Sequence, residues 1–372
     1  MDFRLSPAQQ ILTTTARSFL RQHCPPELVQ RLALDARGFD DALWRRMGEL
    51  GWPGLLIPSD LGGSDGSLLD VIVLVEEMGR AGLPGPFVAS AVVATSLVLA
   101  AASPAQRKRL LPALAAGERI VSLALVEESG SFAPDAVTLA CAVPGRLSGR
   151  KLFVKDAHLA DDLVVAVRIG ADLGLLVVPT DRPGIRHLPL DAISGEKLFE
   201  VTFDRVEVRP DDLLGRVGDG GALLAPALRA GSLARTAEMV GGAQRVLELA
   251  VEHAKTRVQG GRPIGGYQAI QHACADLVRD VDAARGLLYA AAWKDSEGRS
   301  AEADAALAKA YASEACLAVA RRGHQIFGAI SYCEEHPLHL LHKRIQAASL
   351  DFGDAQLHLE TVARAIGLDG RA

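Results

Sequence analysis

The spacing of apolar residues changes period twice along this chain of 372 residues, and that order restricts the fold more than any single motif does. Up to about residue 117 the spacing is helical: Leu68, Val71, Ile72, Val75 and Met78 fall on one face of a 3.6-residue period. Ser6-Pro7 reads as an N-cap with proline in the first turn, and Ser103-Pro104-Ala105-Gln106 adds the glutamine that a capping box needs. Phe39-Asp40-Asp41-Ala42-Leu43-Trp44 opens a further helix that stops near Gly51. After Gly117-Glu118 the runs become short and β-branched (121–126, 152–154, 163–167, 175–178), bounded by Gly, Pro or Asp, as strands are. Phe199, Val201 and Phe203 alternate with Glu200, Thr202 and Asp204, the mark of a half-buried strand. Beyond the glycine-rich link at 215–221 the helical period returns, first in Val240, Ala243, Leu247, Ala250 and Ala254, then in Ile270, Cys274, Leu277, Val281 and Ala284. Two more helical segments are expected over about 301–327 and 338–367. The predicted architecture is α+β: an N-terminal helical domain (1–117), a β middle domain (118–220) and a C-terminal antiparallel four-helix bundle (221–372).

Composition excludes several functions. Hydrophobic residues at 49 % and charged residues at 23 % are globular values, and a net charge of −5 without a basic tract argues against nucleic acid. Five widely spaced cysteines with no C-x-x-C fit reduced thiols. The longest apolar stretch, 86–102, falls short of the roughly 18–20 residues of a membrane span and reads as a buried helix. With no basic n-region and apolar h-region at the N-terminus, a soluble cytoplasmic protein is expected.

One turn carries recognisable chemistry. Arg257-Val258-Gln259-Gly260-Gly261-Arg262-Pro263-Ile264 puts a guanidinium at a helix end and glycines beside it. Arginine presents a planar fork of donors that suits phosphate oxygens, and glycines admit close approach to the backbone. This stretch resembles the R-x-Q-F-G-x-P-I signature of acyl-CoA dehydrogenases, a resemblance that extends over nearly the whole chain. It implies a helical domain, a β-barrel-like middle and a four-helix bundle, with FAD lying extended between them and a neighbouring subunit's bundle. It also implies that Arg257 and Gln259 bind the FAD pyrophosphate. The family uses no Rossmann site, so the absence of G-x-G-x-x-G after a strand is in keeping with it. Two departures stand out: Gly260 replaces the usual phenylalanine, and His253 the expected tyrosine.

Other segments continue the resemblance. Gln325-Ile326-Phe327-Gly328-Ala329-Ile330-Ser331-Tyr332 is similar to Q-I-x-G-G-x-G-Y, implying a dinucleotide contact at Gln325 and Gly328, with Ala329 and Ser331 in place of glycines and a looser or altered adenosine site as the consequence. Residues 123–131 stand for T-E-P-x-A-G-S-D and 149–155 for G-x-K-x-W-I-T, segments that cover the flavin ring. Leu125, Val126, Ser131, Phe153 and Lys155 are the cofactor residues so implied. Phe153 keeps an aromatic surface, whereas Val126 and Lys155 replace hydroxyl donors. Lys155 reads either as a solvated strand end or as a cation near the reduced flavin. Arg235 matches an arginine near the thioester.

The resemblance fails at the base. Dehydrogenation needs a carboxylate to take the α-proton. The family's glutamate precedes Gly-Thr in the last helical region, where this chain has Leu350-Asp351-Phe352-Gly353-Asp354, with Phe352 at the glutamate's place. The alternative position, before the arginine of the first bundle helix, is Ala234. Asp354 and Asp351 are nearby acids, of which Asp354 is the better substitute, and either also reads as a capping or solvated carboxylate. His336, His339 and His342 lack a fourth ligand at metal spacing and read as polar surface or interface positions. The expected function is FAD-dependent α,β-dehydrogenation of an acyl-CoA thioester, with this chain as the non-catalytic subunit of a heterotetramer beside a glutamate-bearing homologue. The alternatives are an autonomous homotetrameric enzyme using a displaced base such as Asp354, and a flavin-dependent oxygenase. Electron-transfer flavoprotein is the acceptor the resemblance implies.

Overall fold

The computed structural model describes residues 4–368; residues 1–3 and 369–372 of the outer two segments lie outside the described residues. Its elements run α1 (Pro7–His23), α2 (Pro26–Leu34), α3 (Asp41–Glu49), α4 (Leu68–Ala81), a π-helical turn Phe87–Ala94, α5 (Thr95–Ala101) and α6 (Pro104–Ala115). Strands follow: β1 (Val121–Ala124), β2 (Gly145–Lys155), β3 (Asp162–Ile169), β4 (Asp172–Pro179), β5 (Ile185–Leu190), β6 (Leu198–Val208) and β7 (Leu213–Leu214). Then come α7 (Gly220–Thr256), a small hairpin of β8 (Val258–Gln259) and β9 (Arg262–Pro263), α8 (Gln268–Ser296), α9 (Glu302–Phe327), α10 (Leu338–Leu350) and α11 (Ala355–Ala365). The α, β, α order is as the periodicity predicts.

Both capping boxes form. Ser6 Oγ accepts from Gln9 N while Gln9 Oε1 accepts from Ser6 N, and Ser103 and Gln106 repeat the exchange at α6. Each satisfies two backbone donors that a helix start otherwise leaves open. The apolar run from 86 to 102 is buried as expected, and it opens as a π-helix rather than an α-helix. Its polar side chains are committed inside: Thr95 Oγ donates to Ser90 O, and Ser90 Oγ accepts from Val121 N.

The chain divides into two compact units. One contains Leu32–Ser67 and Pro84–Gly231, hence β1 to β7. Its strands form two open sheets, not a closed barrel. The first has the order β1-β3-β4-β7, with β1 parallel to β3 and the other pairs antiparallel. Residues 163–167 of β3 are wholly buried, as befits a central strand covered on both faces. The second sheet is antiparallel, in the order β2-β6-β5, and β2 slips register between Leu147 and Gly149 and again between Lys151 and Val154.

The described residues of the other unit are 4–31, 68–83 and 232–368. Here α9 packs against α8, α10 and α11, and its alanine face (Ala305, Ala308, Ala312, Ala320) is what lets three helices approach it. α4 meets α7 backbone to backbone: a Cβ on Gly241 would lie 1.9 Å from Glu76 O, and one on Gly79 2.3 Å from Glu238 O. The single helix expected over 338–367 is in fact two. The chain leaves α10 at Asp351, passes Phe352 at φ +58° and Gly353 at φ +105°, and restarts at Asp354, whose Oδ1 accepts from Leu357 N at 2.9 Å. Left-handed backbone cannot continue an α-helix, so the break is fixed by these residues.

Candidate functional site

In the helical unit the turn after α7 is a two-stranded hairpin, with Val258 paired to Pro263 and Gln259 to Arg262. Gly260 and Gly261 at its tip both have positive φ, and a Cβ on Gly260 would meet Tyr267 Oη at 2.4 Å. Tyr267 donates to Gln259 O at 3.0 Å, and the Arg262 guanidinium lies 4.1 Å from its ring centroid. A tyrosine from the start of α8 thus fills the space beside the hairpin tip, which is why a glycine stands at 260. Arg257 is exposed and forms no ion pair among the described residues, a donor set open to an anion.

The hairpin and the Gln325–Gly328 segment come together. His253, one turn before Arg257, stacks on Phe327 with ring centroids 4.3 Å apart, and His336 meets the other edge of Phe327 at 4.5 Å. His324 stacks on Tyr332 at 4.5 Å and sits 5.1 Å from His342. Ser331, fully buried, donates to Gly328 O at 2.8 Å and accepts from His324 Nδ1 at 2.8 Å. Ser331 pins the loop through these bonds. Gln325 and Gly328 remain exposed. The three histidines of 336–342 do not share a point: two belong to this ring cluster and His339 Nε2 meets Glu334 O. His336 and His342 are half-buried ring contacts within this chain.

The two acids of the segment around residue 352 each have a partner on this chain. Arg235 is 3 % exposed and forms an ion pair with Asp351 at 2.8 Å and a second one with Glu238. Asp354 is exposed and caps α11. Ala234 is wholly buried in α7. A cavity of about 10 Å³ bordered by Gly79, Glu238, Gly242, Arg344, Ile345 and Ala348 leaves room beside Glu238 for about one water.

In the strand-bearing unit, Leu125 and Val126 are buried at the end of β1, and Val126 O accepts from Leu152 N. Ser131 Oγ accepts from Ala133 N, ordering the loop. The following glutamate is the anchor: Glu127 accepts from Lys151 Nζ at 2.6 Å, from Thr138 N and Leu139 N, and from Thr138 Oγ. Burial opposes its ionisation, but these donors prevail and hold its carboxyl at about 2. Phe153 sits on the second bulge of β2 at φ +55° and is half exposed, so the bulge turns an aromatic face outward. Lys155 is neither a solvated strand end nor unaccompanied: its Nζ lies 3.5 Å from Glu196 Oε2, and Ser122 Oγ donates to its carbonyl.

Sequence reasoning missed Glu196, Ser331's bonds and above all Lys309. Lys309 carried a signal, since it interrupts the buried alanine stripe of α9.

A two-sheet middle between an N-terminal helical segment and a C-terminal bundle defines an acyl-CoA dehydrogenase-type chain. Residues 6–118 match the acyl-CoA dehydrogenase N-terminal domain, and residues 218–367 match the acyl-CoA dehydrogenase C-terminal domain. The chain is 32 % identical to acyl-CoA dehydrogenase IpdE2 of Mycobacterium tuberculosis over 92 % of each sequence. Among solved structures it resembles butyryl-CoA dehydrogenase from Megasphaera elsdenii (27 % identity, TM-score 0.93, 98 % of this chain and 100 % of that one). It also resembles a chain of the ChsE4-ChsE5 complex from Mycobacterium tuberculosis (26 % identity, TM-score 0.91, 98 % and 99 % covered). This protein belongs to the acyl-CoA dehydrogenase family of oxidoreductases, whose cofactor is FAD. Among the described residues no helix is long and apolar enough to cross a membrane.

Proposed function

We propose that this chain is an FAD-binding subunit for α,β-dehydrogenation of an acyl-CoA thioester that does not itself take the α-proton, and that it assembles as a heterotetramer with a glutamate-bearing homologue. The observation that carries this reading is the 350–354 turn. Phe352 stands at the glutamate's place, Asp351 is held by Arg235, and Asp354 caps α11. Both acids are thereby engaged by neighbours on this chain, which favours a base supplied from elsewhere. Similarity to a chain of the ChsE4-ChsE5 complex supports the heteromeric arrangement.

Bound FAD supplies the hydride acceptor of such a reaction. Arg257 and Gln259 bind its pyrophosphate, Gln325 and Gly328 line the dinucleotide, and residues 125–131 with Phe153 cover the flavin ring. Lys155 sits at the ring edge, with Glu196 fixing its amine. Arg235 acts on the turn through Asp351 instead of on the thioester, because both sides of its guanidinium are paired. The three segments 1–117, 118–220 and 221–372 are the corresponding domains, the cytoplasm the compartment, and electron-transfer flavoprotein the electron acceptor.

The test is anaerobic titration of the flavin-loaded protein, purified alone, with butyryl-CoA and octanoyl-CoA. The flavin band near 450 nm should stay oxidised, and should bleach only when the co-expressed glutamate-bearing homologue is present. Bleaching by the lone chain that is lost in Asp354→Asn would establish an autonomous enzyme using Asp354.

A further inference from the structure

α9 carries a lysine in the middle of its alanine face. Lys309 is fully buried, and its Nζ donates to three uncharged oxygens: Ser349 O at 2.8 Å, Gly353 O at 2.9 Å and Ser313 Oγ at 3.3 Å. Ser349 is the next-to-last residue of α10, and Gly353 stands two residues before α11 begins. One ammonium therefore spans the break between the two helices.

The break needs such a tie. A phenylalanine at φ +58° is intrinsically unfavourable, and it persists only where the surroundings over-determine it. The carbonyls at the end of α10 are the negative end of a helix dipole and have no intrahelical donor, so a buried cation complements them. The neighbouring holds act on single points: Arg235 of α7 pairs with Asp351, His358 of α11 donates from Nε2 to Phe352 O at 3.1 Å, and Asp354 caps its own helix. Among these side chains, Lys309 is the one that reaches both the last turn of α10 and Gly353 beyond it.

We propose that Lys309 is a positioning residue for the turn that presents Phe352, tying the end of α10 to the approach to α11 and fixing the backbone at residues 350–354. Its importance for the reaction rests on the reading of that turn as the family's base position; the tie itself does not. The charged and titratable groups that face Lys309 are Arg235 from α7, Asp351 and Asp354 from the turn, and His358 from α11. Burial, opposed by Asp351 and reinforced by Arg235, brings its amine down from the ordinary 10.5 to about 7. Loss of the proton leaves two donors for three acceptors, so the tie loosens as pH rises through neutrality.

Hydrogen exchange of the full chain tests this. In Lys309→Met, and more mildly in Lys309→Gln, which keeps an amide donor, exchange at 350–354 should accelerate at least about tenfold while α1 and α4 keep wild-type protection. In wild-type protein with ¹³C-labelled lysine, one side-chain resonance should titrate near pH 7. The amide shifts of 350–354 should follow the same midpoint, and both signals should vanish in Lys309→Gln. Unchanged exchange at the turn in Lys309→Met would overturn the proposal; a Lys309 titration at its ordinary 10.5 would overturn the pH dependence drawn from it. Flavin content is scored separately: a protein that never carries FAD refutes the site reading and leaves the exchange result to judge Lys309.

Discussion

Ser331 and His324 show how a single replacement is absorbed. Ser331 Oγ links Gly328 O to His324 Nδ1 inside a stack of rings. Ser331→Ala should leave the His324 nitrogen and Gly328 O without that partner and cost about 1–3 kcal/mol in urea unfolding. The same cluster sets a pH dependence. Burial together with His342, His336 and His339 lowers His324 to about 4, and burial also lowers His253, His336 and His342. A histidine whose folded pKa lies below its unfolded 6.5 takes up protons first in the unfolded chain. Unfolding free energy should therefore be steady above pH 6.5 and fall progressively between 6.5 and 4, and His324→Phe should flatten that slope. Of this chemistry, the capping residues Ser6, Ser103 and Gln106 were legible because their partners lie three residues away. Lys309 was not, because its carbonyl partners lie 40 and 44 positions further on.

At the scale of elements, the α4–α7 crossing is set by two glycines that periodicity treats as ordinary helix positions. With a Cβ 1.9 Å from Glu76 O, Gly241→Ala must push the helices apart. It should destabilise by about 1–3 kcal/mol, read as a lower denaturant midpoint. Helix and strand existence followed from period where an element buries one face, as the alternation in β6 shows. The break after α10 did not follow: apolar residues continue on both sides of it, and only Gly353 with Asp354 marks the restart. Asp354→Ala should cost about 1 kcal/mol by removing the cap, whereas Asp354→Asn, which caps as well, should leave both stability and flavin reduction unchanged.

For the whole molecule, the α, β, α order and the turns around Arg257 and Gln325 identified the family before any contact was seen. The middle sheets proved open because β1, β3, β4 and β7 pair among themselves and β2, β6 and β5 among themselves, a matter of long-range register that no local pattern encodes. The proposed loss of the base rests on Phe352 and Ala234, residues that the sequence alone displays. That both neighbouring carboxylates are occupied, by Arg235 and by the start of α11, required the fold. The central claim is that proton abstraction comes from another chain. The most direct measurement is native mass spectrometry of the assembly formed when this chain is co-expressed with glutamate-bearing homologues from its own genome. The account predicts a heterotetramer whose partner carries the glutamate and whose activity is lost when that glutamate is changed to glutamine. A homotetramer of this chain alone that reduces its flavin with acyl-CoA would contradict it.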